Sequence, residues 1–335
     1  MSGVEHREVG ADDAGIRIDR WFKRHFPVIS HVQLEKLLRT GQVRVDGGRV
    51  KSSARLEIGQ QIRVPPLHLD EAAPVRPARK ADGLRDERLS KDLEALVIHK
   101  NDAFVAINKP AGLAVQGGSG TTHHLDLMLE AYEAVRGEKL RLAHRLDRDT
   151  SGVMLLARSV GTAAELAELF RHREITKLYW ALTAFVPAEP YGRIDKALAK
   201  RIQAARGGRE AMAVADAYDE DAQRAITDYA LIANAGPIAW LGLRPLTGRT
   251  HQLRAHLASI NAPIVGDRKY GGEPSDIGGV FPKGLMLHAR AITVPAKLVK
   301  GISKPLTVRV PLTGAMRDAF ALLGFDGGND TDPFD

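Results

Sequence analysis

The feature that most constrains the fold is a charged loop that leads directly into a short apolar segment. Residues 144–152 read His-Arg-Leu-Asp-Arg-Asp-Thr-Ser-Gly, and the apolar run at 153–157 follows at once. Its length and the turn residues before it are typical of a buried strand, which predicts an ordered loop ahead of that strand. The loop holds Asp147 between Arg145 and Arg148, and nearby cations favour an ionised carboxyl group. Asp147 is therefore suited to be a nucleophile, a base, a metal ligand or an ordinary ion-pair partner.

The composition limits the possible classes of protein. The 335 residues are 44% hydrophobic, enough for a sizeable core, and no apolar run reaches the length of a membrane span. The absence of cysteine excludes disulfides, thiolate zinc sites and cysteine nucleophiles. Residues 1–15 contain several acids and lack the apolar segment of a signal peptide. We therefore expect a soluble, cytoplasmic protein with no membrane association.

Positive charge is concentrated near the beginning of the chain. The net charge is +7 and the isoelectric point is about 9.6, which indicates a polyanionic partner. Residues 16–66 contain 11 Lys and Arg against 4 Asp and Glu, so this segment carries a surplus equal to the whole net charge. A charge that served solubility alone would be spread more evenly. This segment is predicted to contact the polyanion.

The periodicity of residues 16–66 predicts a small α/β module. Residues 16–26 form a basic amphipathic helix, and Ser30 caps a second helix at 31–40. Residues 43–50 fit a hairpin around an Asp-Gly turn, and 61–64 fit a strand. The module resembles the S4 RNA-binding domain, through Ser30, Lys36, Leu37, the glycine-flanked segment 41–47 and Gly59. The cations that this resemblance assigns to RNA binding are Arg20, Lys23, Arg24, Lys36 and Arg44.

The rest of the chain is predicted to be a linker and one larger α+β region. Residues 67–92 lack hydrophobic periodicity and are expected to be a linker, part of which orders on RNA. Strands are predicted at 96–99, 104–108, 153–157, 175–183, 226–233 and 238–243, with a helix at 161–170. In the strand 175–183, alternation places Lys177 and Tyr179 on the same face. Residues 187–224 fit a variable insertion with helix around 197–205, or a hairpin touching RNA.

A second basic motif lies at 244–257, which reads Arg-Pro-Leu-Thr-Gly-Arg-Thr-His-Gln-Leu-Arg-Ala-His-Leu. Thr250 is predicted to cap a helix that presents His251 and Arg254 on one face. Arg249 would lie at the positively polarised start of that helix. Cations at a helix N-terminus suit an anion, either a phosphate or a carboxylate.

Together these motifs resemble the RluA/RluC/RluD group of RNA pseudouridine synthases. The resemblance rests on residues 144–152, on Asn-Lys-Pro-Ala-Gly at 108–112, on Lys-Leu-Tyr-Trp-Ala-Leu at 177–182 and on 244–257. It implies a mixed, mainly antiparallel sheet with flanking helices. The glycine loop at 114–120 favours the RluC-like branch. The domains expected are an N-terminal tail at 1–15, the S4-like module at 16–66, the linker at 67–92, the catalytic domain at 93–324 and a disordered acidic tail at 325–335.

The resemblance also implies roles for individual residues. Asp147 would be the nucleophile, Tyr179 would contact a flipped-out uridine, and Arg254 would pair with Asp147, with Arg249 as the competitor for that pairing. Arg145 would fill the space that the uridine leaves, and Lys109 would lie near the active site and contact RNA. Such a reaction retains uracil throughout, so we expect no cofactor and no metal. We also expect the protein to be a monomer.

Three alternatives to a ribosomal RNA enzyme remain at this point. The substrate could be transfer RNA rather than 23S ribosomal RNA. The chain could be a non-catalytic, S4-type binding protein of ribosome assembly, although such a protein would not need Asp147, Tyr179 and Arg254 together. It could also be a glycosidase-like hydrolase, for which Asp149 is the nearest candidate for a second catalytic acid.

Overall fold

The computed structural model describes residues 4–10, 13–26, 29, 31–67, 83–117, 123–203, 209–215, 219, 221–330 and 332–335. The chain divides into two compact units, residues 1–81 and 82–335. Ser30 and residues 118–120 of the glycine loop lie outside the described residues. Among the helices that are described, none is both long and apolar enough to cross a bilayer.

The first unit packs two helices on a small antiparallel sheet. Its elements are β1 (Glu5–Glu8), α1 (Ile18–His25), α2 (His31–Arg39), β2 (Arg44–Val45) and β3 (Gln61–Val64). The strand order is β1-β3-β2. The apolar face of α1 supplies Ile18, Trp21 and Phe22 to a core that also holds Ile62 and Val64 of β3. The two helices and the strand at 61–64 are confirmed.

Two expectations for this unit are corrected. Residues 5–8 do not form a tail, because β1 pairs antiparallel with β3 and the adjacent Val9 is fully buried. The segment 43–50 is a tight turn rather than a full hairpin. Asp46 and Gly47 have positive φ angles of 48° and 76°, as an Asp-Gly turn requires, but the strand before the turn pairs with β3. Both corrections involve partners distant in sequence, which local patterns do not reveal.

The second unit is a mixed α/β domain. Its helices are α3 (Gly83–Ala95), α4 (Leu125–Arg136), α5 (Val160–His172), α6 (Gln252–Ala258) and α7 (Gly314–Leu323), with a 3-10 turn at Glu273–Ser275. Its strands are β4 (Val97–Lys100), β5 (Phe104–Lys109), β6 (Arg141–Leu142), β7 (Ser151–Ala157), β8 (Thr176–Thr183), β9 (Tyr191–Asp195), β10 (Leu198–Gln203), β11 (Arg209–Val214), β12 (Ile226–Ala235), β13 (Ile238–Pro245), β14 (Leu287–Val294) and β15 (Leu306–Arg309).

The main sheet of this unit has the strand order β4-β5-β7-β14-β8-β13-β12-β9, with β6 beside β7 and β15 beside β14. The β14–β7 pair is parallel and the other recorded pairs of this sheet are antiparallel, so the mixed, mainly antiparallel sheet is confirmed. One core cluster joins α3, α4 and α5 to β5 and β7. A second joins α6 and α7 to β8 and β13. The loop before β7 and the start of α6 border the same cleft.

Three further expectations differ from the structure. Residues 83–92 of the predicted linker belong to α3, which buries Leu89 and Leu93 in the core of the second unit. The stretch 197–205, predicted to be helical, contains β10, which pairs with β11 as a hairpin. The acidic tail at 325–335 is not disordered where it is described. Asp332 pairs with Arg244 at 3.0 Å, so cations in the folded domain neutralise the acids that made this segment look unstructured.

Candidate active site

The loop before β7 is anchored by the packing of His144 and Leu146. His144 accepts a hydrogen bond from the Leu155 amide at Nε2 (2.9 Å), and its ring stacks on Phe170 with centroids 4.2 Å apart. Burial lowers the pKa of His144 to about 3, so it acts as a neutral packing residue. Leu146 is buried in the core. Arg145 and Asp147 line the cleft, and His144 and Leu146 also border it.

Lys109 fixes this loop from beneath rather than contacting RNA. Its side chain is fully buried, and its ammonium group donates to the carbonyl oxygens of Pro110 (3.0 Å), Leu113 (2.9 Å) and Arg148 (3.0 Å). Burial lowers the pKa of Lys109 to about 8, although the charges of Asp149 and Asp147 oppose the shift. The predicted RNA contact is therefore corrected, because three backbone carbonyls occupy the donors of a lysine that lies out of reach of a phosphate.

The Ser-Gly pair at the start of β7 allows two strands to approach closely. The Ser151 hydroxyl lies 2.8 Å from His288 Nδ1 on β14. Gly152 has a φ of 117°, and a Cβ there would collide with the backbone of Ala289. Only glycine fits both the backbone angle and the space. The end of the loop is thereby held against β14.

The cleft brings together most of the predicted site. It has a volume of about 410 Å³ and is bordered by the loop before β7, by β8 and by the segment leading into α6. The predicted residues that line it are Arg145, Asp147, Tyr179, Arg249 and Arg254. Lys177 and Tyr179 line it together, as their shared strand face predicts.

Burial in the cleft wall shifts the pKa values of both Tyr179 and Lys177. Burial, with the nearby charge of Asp147, raises the pKa of Tyr179 above its usual value. The phenol therefore keeps its proton at neutral pH and can pack on a ring or donate a hydrogen bond. Burial, helped by the charge of Arg173, lowers the pKa of Lys177 to about 8. Near neutral pH this lysine still carries most of its positive charge, which suits a substrate that brings phosphates.

Arg254 does not make the predicted pair with Asp147. Its guanidinium forms two parallel hydrogen bonds with Asp267, Nε to Oδ2 at 2.8 Å and Nη2 to Oδ1 at 2.7 Å. Burial alone would lower the pKa of Arg254, but the bonds and charge of Asp267, with the charge of Asp147, raise it. Arg254 thus acts on Asp147 through its charge. The competitor, Arg249, instead donates to the Arg224 carbonyl oxygen at 3.1 Å.

The side chain that faces Asp147 is His251, whose Nε2 lies 3.8 Å from Asp147 Oδ2. Burial lowers the pKa of His251, although the charge of Asp147 opposes the shift. His251, not Thr250, is the residue that precedes α6, and it has a φ of 52° without a side-chain capping bond. Sequence reasoning placed His251 on the motif face but did not assign it to Asp147.

Thr250 does not cap α6, and the side chain of Gln252, its first residue, binds the segments before the helix. Its Oε1 accepts from the Arg249 amide (3.1 Å) and from the Thr247 hydroxyl (2.6 Å). Its Nε2 donates to the Ile226 carbonyl oxygen at 2.8 Å. The hydrogen bonds of its amide explain a buried glutamine in this motif and tie the start of α6 to the segment 247–249 and to β12.

The predicted RNA-binding cations of the first unit lie on its surface or bind its own backbone. Arg20, Lys23, Arg24 and Lys36 are exposed. Arg24 also pairs with Asp13 at 2.5 Å. Arg44 donates to the carbonyl oxygens of Gly41 and Gly47 at 3.0 and 3.1 Å. Arg44 is thus engaged in holding the turn after β2, whereas Arg20, Lys23 and Lys36 point charge toward solvent.

The geometry defines an enzyme site on a mixed sheet, and comparison with known proteins identifies its family. The profile of the family described as RNA pseudouridylate synthase matches residues 103–259. "Ribosomal large subunit pseudouridine synthase C" of Rickettsia felis is 32% identical over 84% of this chain and 89% of that protein. "RNA pseudouridine synthase 4, mitochondrial" of Arabidopsis thaliana is 36% identical over 75% of this chain and 59% of that protein.

Comparison with solved structures finds the same family. Human RNA Pseudouridylate Synthase Domain Containing 4 superposes with a TM-score of 0.58 at 30% identity, covering 72% of this chain and 97% of that one. This chain belongs to the RNA pseudouridylate synthase family. It is therefore an isomerase that acts on RNA, as the sequence resemblance predicts.

Proposed function

We propose that the chain isomerises specific uridines of large-subunit ribosomal RNA, with Asp147 as the nucleophile. Asp147 lies in the cleft, beside Tyr179 and close to Arg254 and His251, and this juxtaposition carries the proposal. The ribosomal substrate is supported by relatives named for the large ribosomal subunit, in Rickettsia felis and in Vibrio cholerae, the latter 31% identical over 94% of this chain and 96% of that protein. We further propose a cytoplasmic monomer that needs no cofactor or metal.

The reaction requires that the target uridine leave its base stack. Unstacking costs roughly a few kcal/mol, and Arg145, exposed beside the nucleophile, is the residue we assign to the vacated space. Attack by the Asp147 carboxylate, on the base or on the sugar, breaks the bond between N1 and C1′. The uracil then turns, C5 bonds to C1′, the bond to Asp147 breaks and returns the free carboxylate, the C5 proton is lost and N1 gains a proton. Tyr179 packs on the base, and Arg254 stabilises the charge of Asp147.

A hydrolase is a weaker interpretation of the same cleft. It would need a second catalytic acid, and Asp149 is exposed and is not among the described residues that line the cleft. A purely structural RNA-binding protein would not require a buried, fully bonded framework around Asp147. The remaining choice between ribosomal and transfer RNA is decided by experiment.

The test is to map pseudouridine in ribosomal and transfer RNA from cells with and without the gene. We expect defined sites in the large-subunit RNA to lose pseudouridine and to regain it when the wild-type gene is restored. Loss of transfer RNA sites instead would overturn the ribosomal assignment. Release of free uracil by the purified enzyme would point to the hydrolase.

The exposed cations of the first unit are proposed to bind RNA phosphates. We expect changing Arg20, Lys23 and Lys36 together to Gln to weaken RNA affinity and to flatten its dependence on salt. Each lost phosphate contact should reduce the slope of log K against log salt by roughly 0.7–0.9. The control changes Lys91, Lys139 and Arg317, exposed cations of the second unit that pair with acids, to Gln. Equal slopes for the two triple variants would contradict the proposal.

A further inference from the structure

A chain of polar contacts connects Asp147 to the β10–β11 hairpin. The Met212 amide of β11 donates to the Tyr270 hydroxyl at 3.1 Å. That hydroxyl lies 2.8 Å from His251 Nδ1, and the two rings meet edge to face with centroids 5.5 Å apart. On the other side of the imidazole, Nε2 faces Asp147 Oδ2 at 3.8 Å. Each of the two ring nitrogens of His251 therefore has a defined neighbour.

The hydrogen bonds of Tyr270 favour one position for the imidazole proton. A tyrosine hydroxyl has one proton to donate and lone pairs with which to accept. Because the Tyr270 oxygen accepts from Met212, its own proton is available to His251 Nδ1. A neutral imidazole that accepts at Nδ1 carries its proton on Nε2. Nε2 is the ring nitrogen that lies 3.8 Å from the carboxylate of Asp147, and catalytic hydrogen bonds that are long in the free enzyme commonly shorten when substrate is bound.

The surrounding framework holds this arrangement in place. Asp267 accepts from the amides of Lys269 (2.9 Å) and Tyr270 (3.0 Å) while it binds Arg254. Tyr270 is thereby fixed over the start of α6. His251 itself adopts a left-handed backbone conformation with a φ of 52°. Residues held in such conformations are strained and concentrate at functional sites.

We propose that Tyr270 and His251 are positioning residues for Asp147: Tyr270 sets the tautomer of His251, and His251 Nε2–H orients the carboxylate for attack. The proposal rests on the assignment of Asp147 as the nucleophile. The charged groups that face the imidazole are Asp147, Asp267, Arg254 and Lys269. These are two negative and two positive charges, so their formal charges cancel. We therefore assign the contribution of His251 to its Nε2–H donor rather than to net charge.

The first test compares His251→Gln with His251→Met. The two side chains have similar length and shape, but only Gln can donate an N–H to Asp147. We expect single-turnover rates of His251→Met to fall roughly 10–100-fold, the size expected when a hydrogen bond to a charged group is lost. We expect His251→Gln to be about tenfold faster than His251→Met, with similar RNA affinity for both. Equal rates for the two variants would overturn the donor role.

The second test uses Tyr270→Phe in both backgrounds. In the wild-type background we expect the single-turnover rate to fall by about tenfold, since the tautomer of His251 is no longer fixed. With Gln at position 251 the same change should not slow the reaction further, because an amide needs no tautomer. Tyr191→Phe, which removes a hydroxyl from an exposed tyrosine, is the matched control. If Tyr270 has a purely structural role, its substitution will slow the reaction equally in both backgrounds. That result would overturn the relay, by which we mean the proposed action of Tyr270 on Asp147 through His251.

The same assay separates failure of the relay from failure of the nucleophile. Asp147→Asn is measured beside the other variants. If Asp147→Asn is inactive while Tyr270→Phe reacts at the wild-type rate, the relay is wrong and the nucleophile stands. If Asp147→Asn reacts at the wild-type rate, the proposed mechanism itself is wrong, and the relay falls with it.

Discussion

Asp147→Asn is expected to abolish isomerisation while leaving the fold and the RNA affinity nearly unchanged. Removing a catalytic nucleophile typically costs roughly 10³-fold or more in turnover, and an asparagine amide does not attack carbon centres as a carboxylate does. The structural cost should be small. The Asp147 side chain is about 28% exposed, and its local turn is held by a bond from the Thr150 amide to the Asp147 carbonyl oxygen, which the substitution retains.

The measurement is the release of tritium from RNA that carries tritium at C5 of uridine, because that hydrogen is lost when C5 bonds to the sugar. Asp149→Asn is the matched control: it makes the same chemical change in the same loop at an exposed acid outside the cleft lining. We expect the control to react within a few fold of wild type. Turnover by Asp147→Asn at the control rate would remove Asp147 from the mechanism.

The part of the site that sequence could predict is the part encoded in contiguous residues. The loop 144–152 was expected to be ordered and to lead into a buried strand, and it carries Arg145 and Asp147 to the cleft before β7 begins at Ser151. The shared face of Lys177 and Tyr179 follows from the period of a strand. These relations depend on neighbours within a few residues, and the structure confirms them.

Pairings between distant segments could not be predicted in this way. Two arginines of one motif competed for Asp147, yet Arg254 pairs with Asp267, thirteen positions further along the chain, and Arg249 binds a carbonyl oxygen. The helix was expected to be capped by Thr250, but α6 begins at Gln252, and His251, the residue before it, is the side chain that faces Asp147. His251 has a left-handed backbone conformation with a φ of 52°, which a pattern based on helical spacing does not predict.

Charge patterns were also misleading where folding pairs the charges. Residues 325–335 contain acids and no cation of their own, which is typical of a disordered tail. In the structure Asp330 lies 2.9 Å from Arg290, and the Phe334 ring lies 4.6 Å from the Arg244 guanidinium. The segment 83–92 was likewise assigned to a linker because it is highly charged and lacks hydrophobic periodicity. In the structure it belongs to α3, in which Leu89, with Leu93 just beyond the segment, is enough to fix the helix on the domain once a partner surface exists.

The second large effect is expected from Asp267→Ala, which leaves the buried Arg254 guanidinium without its partner. Arg254 is about 8% exposed and Asp267 about 1%, and breaking a buried ion pair by removing one member typically costs about 3–5 kcal/mol. The change also removes the acceptor for the Lys269 and Tyr270 amides. We expect the melting temperature to fall by roughly 10 °C, and turnover to fall even at temperatures where the variant is folded.

A matched surface pair shows whether this loss comes from burial. Asp228 forms a similar two-bond pair with Arg193, but its partner side chain is 59% exposed, so Asp228→Ala should cost no more than about 1 kcal/mol. Replacing both members of the buried pair, as in Arg254→Met with Asp267→Leu, should cost less than the sum of the single changes, because no charge is left unpaired. Denaturant unfolding of the wild type, of Arg254→Met, of Asp267→Leu and of the double variant gives the coupling energy directly. If Asp267→Ala loses no more stability than Asp228→Ala, Arg254 is not held by Asp267, and the electrostatic support assigned to Asp147 would have to come from His251.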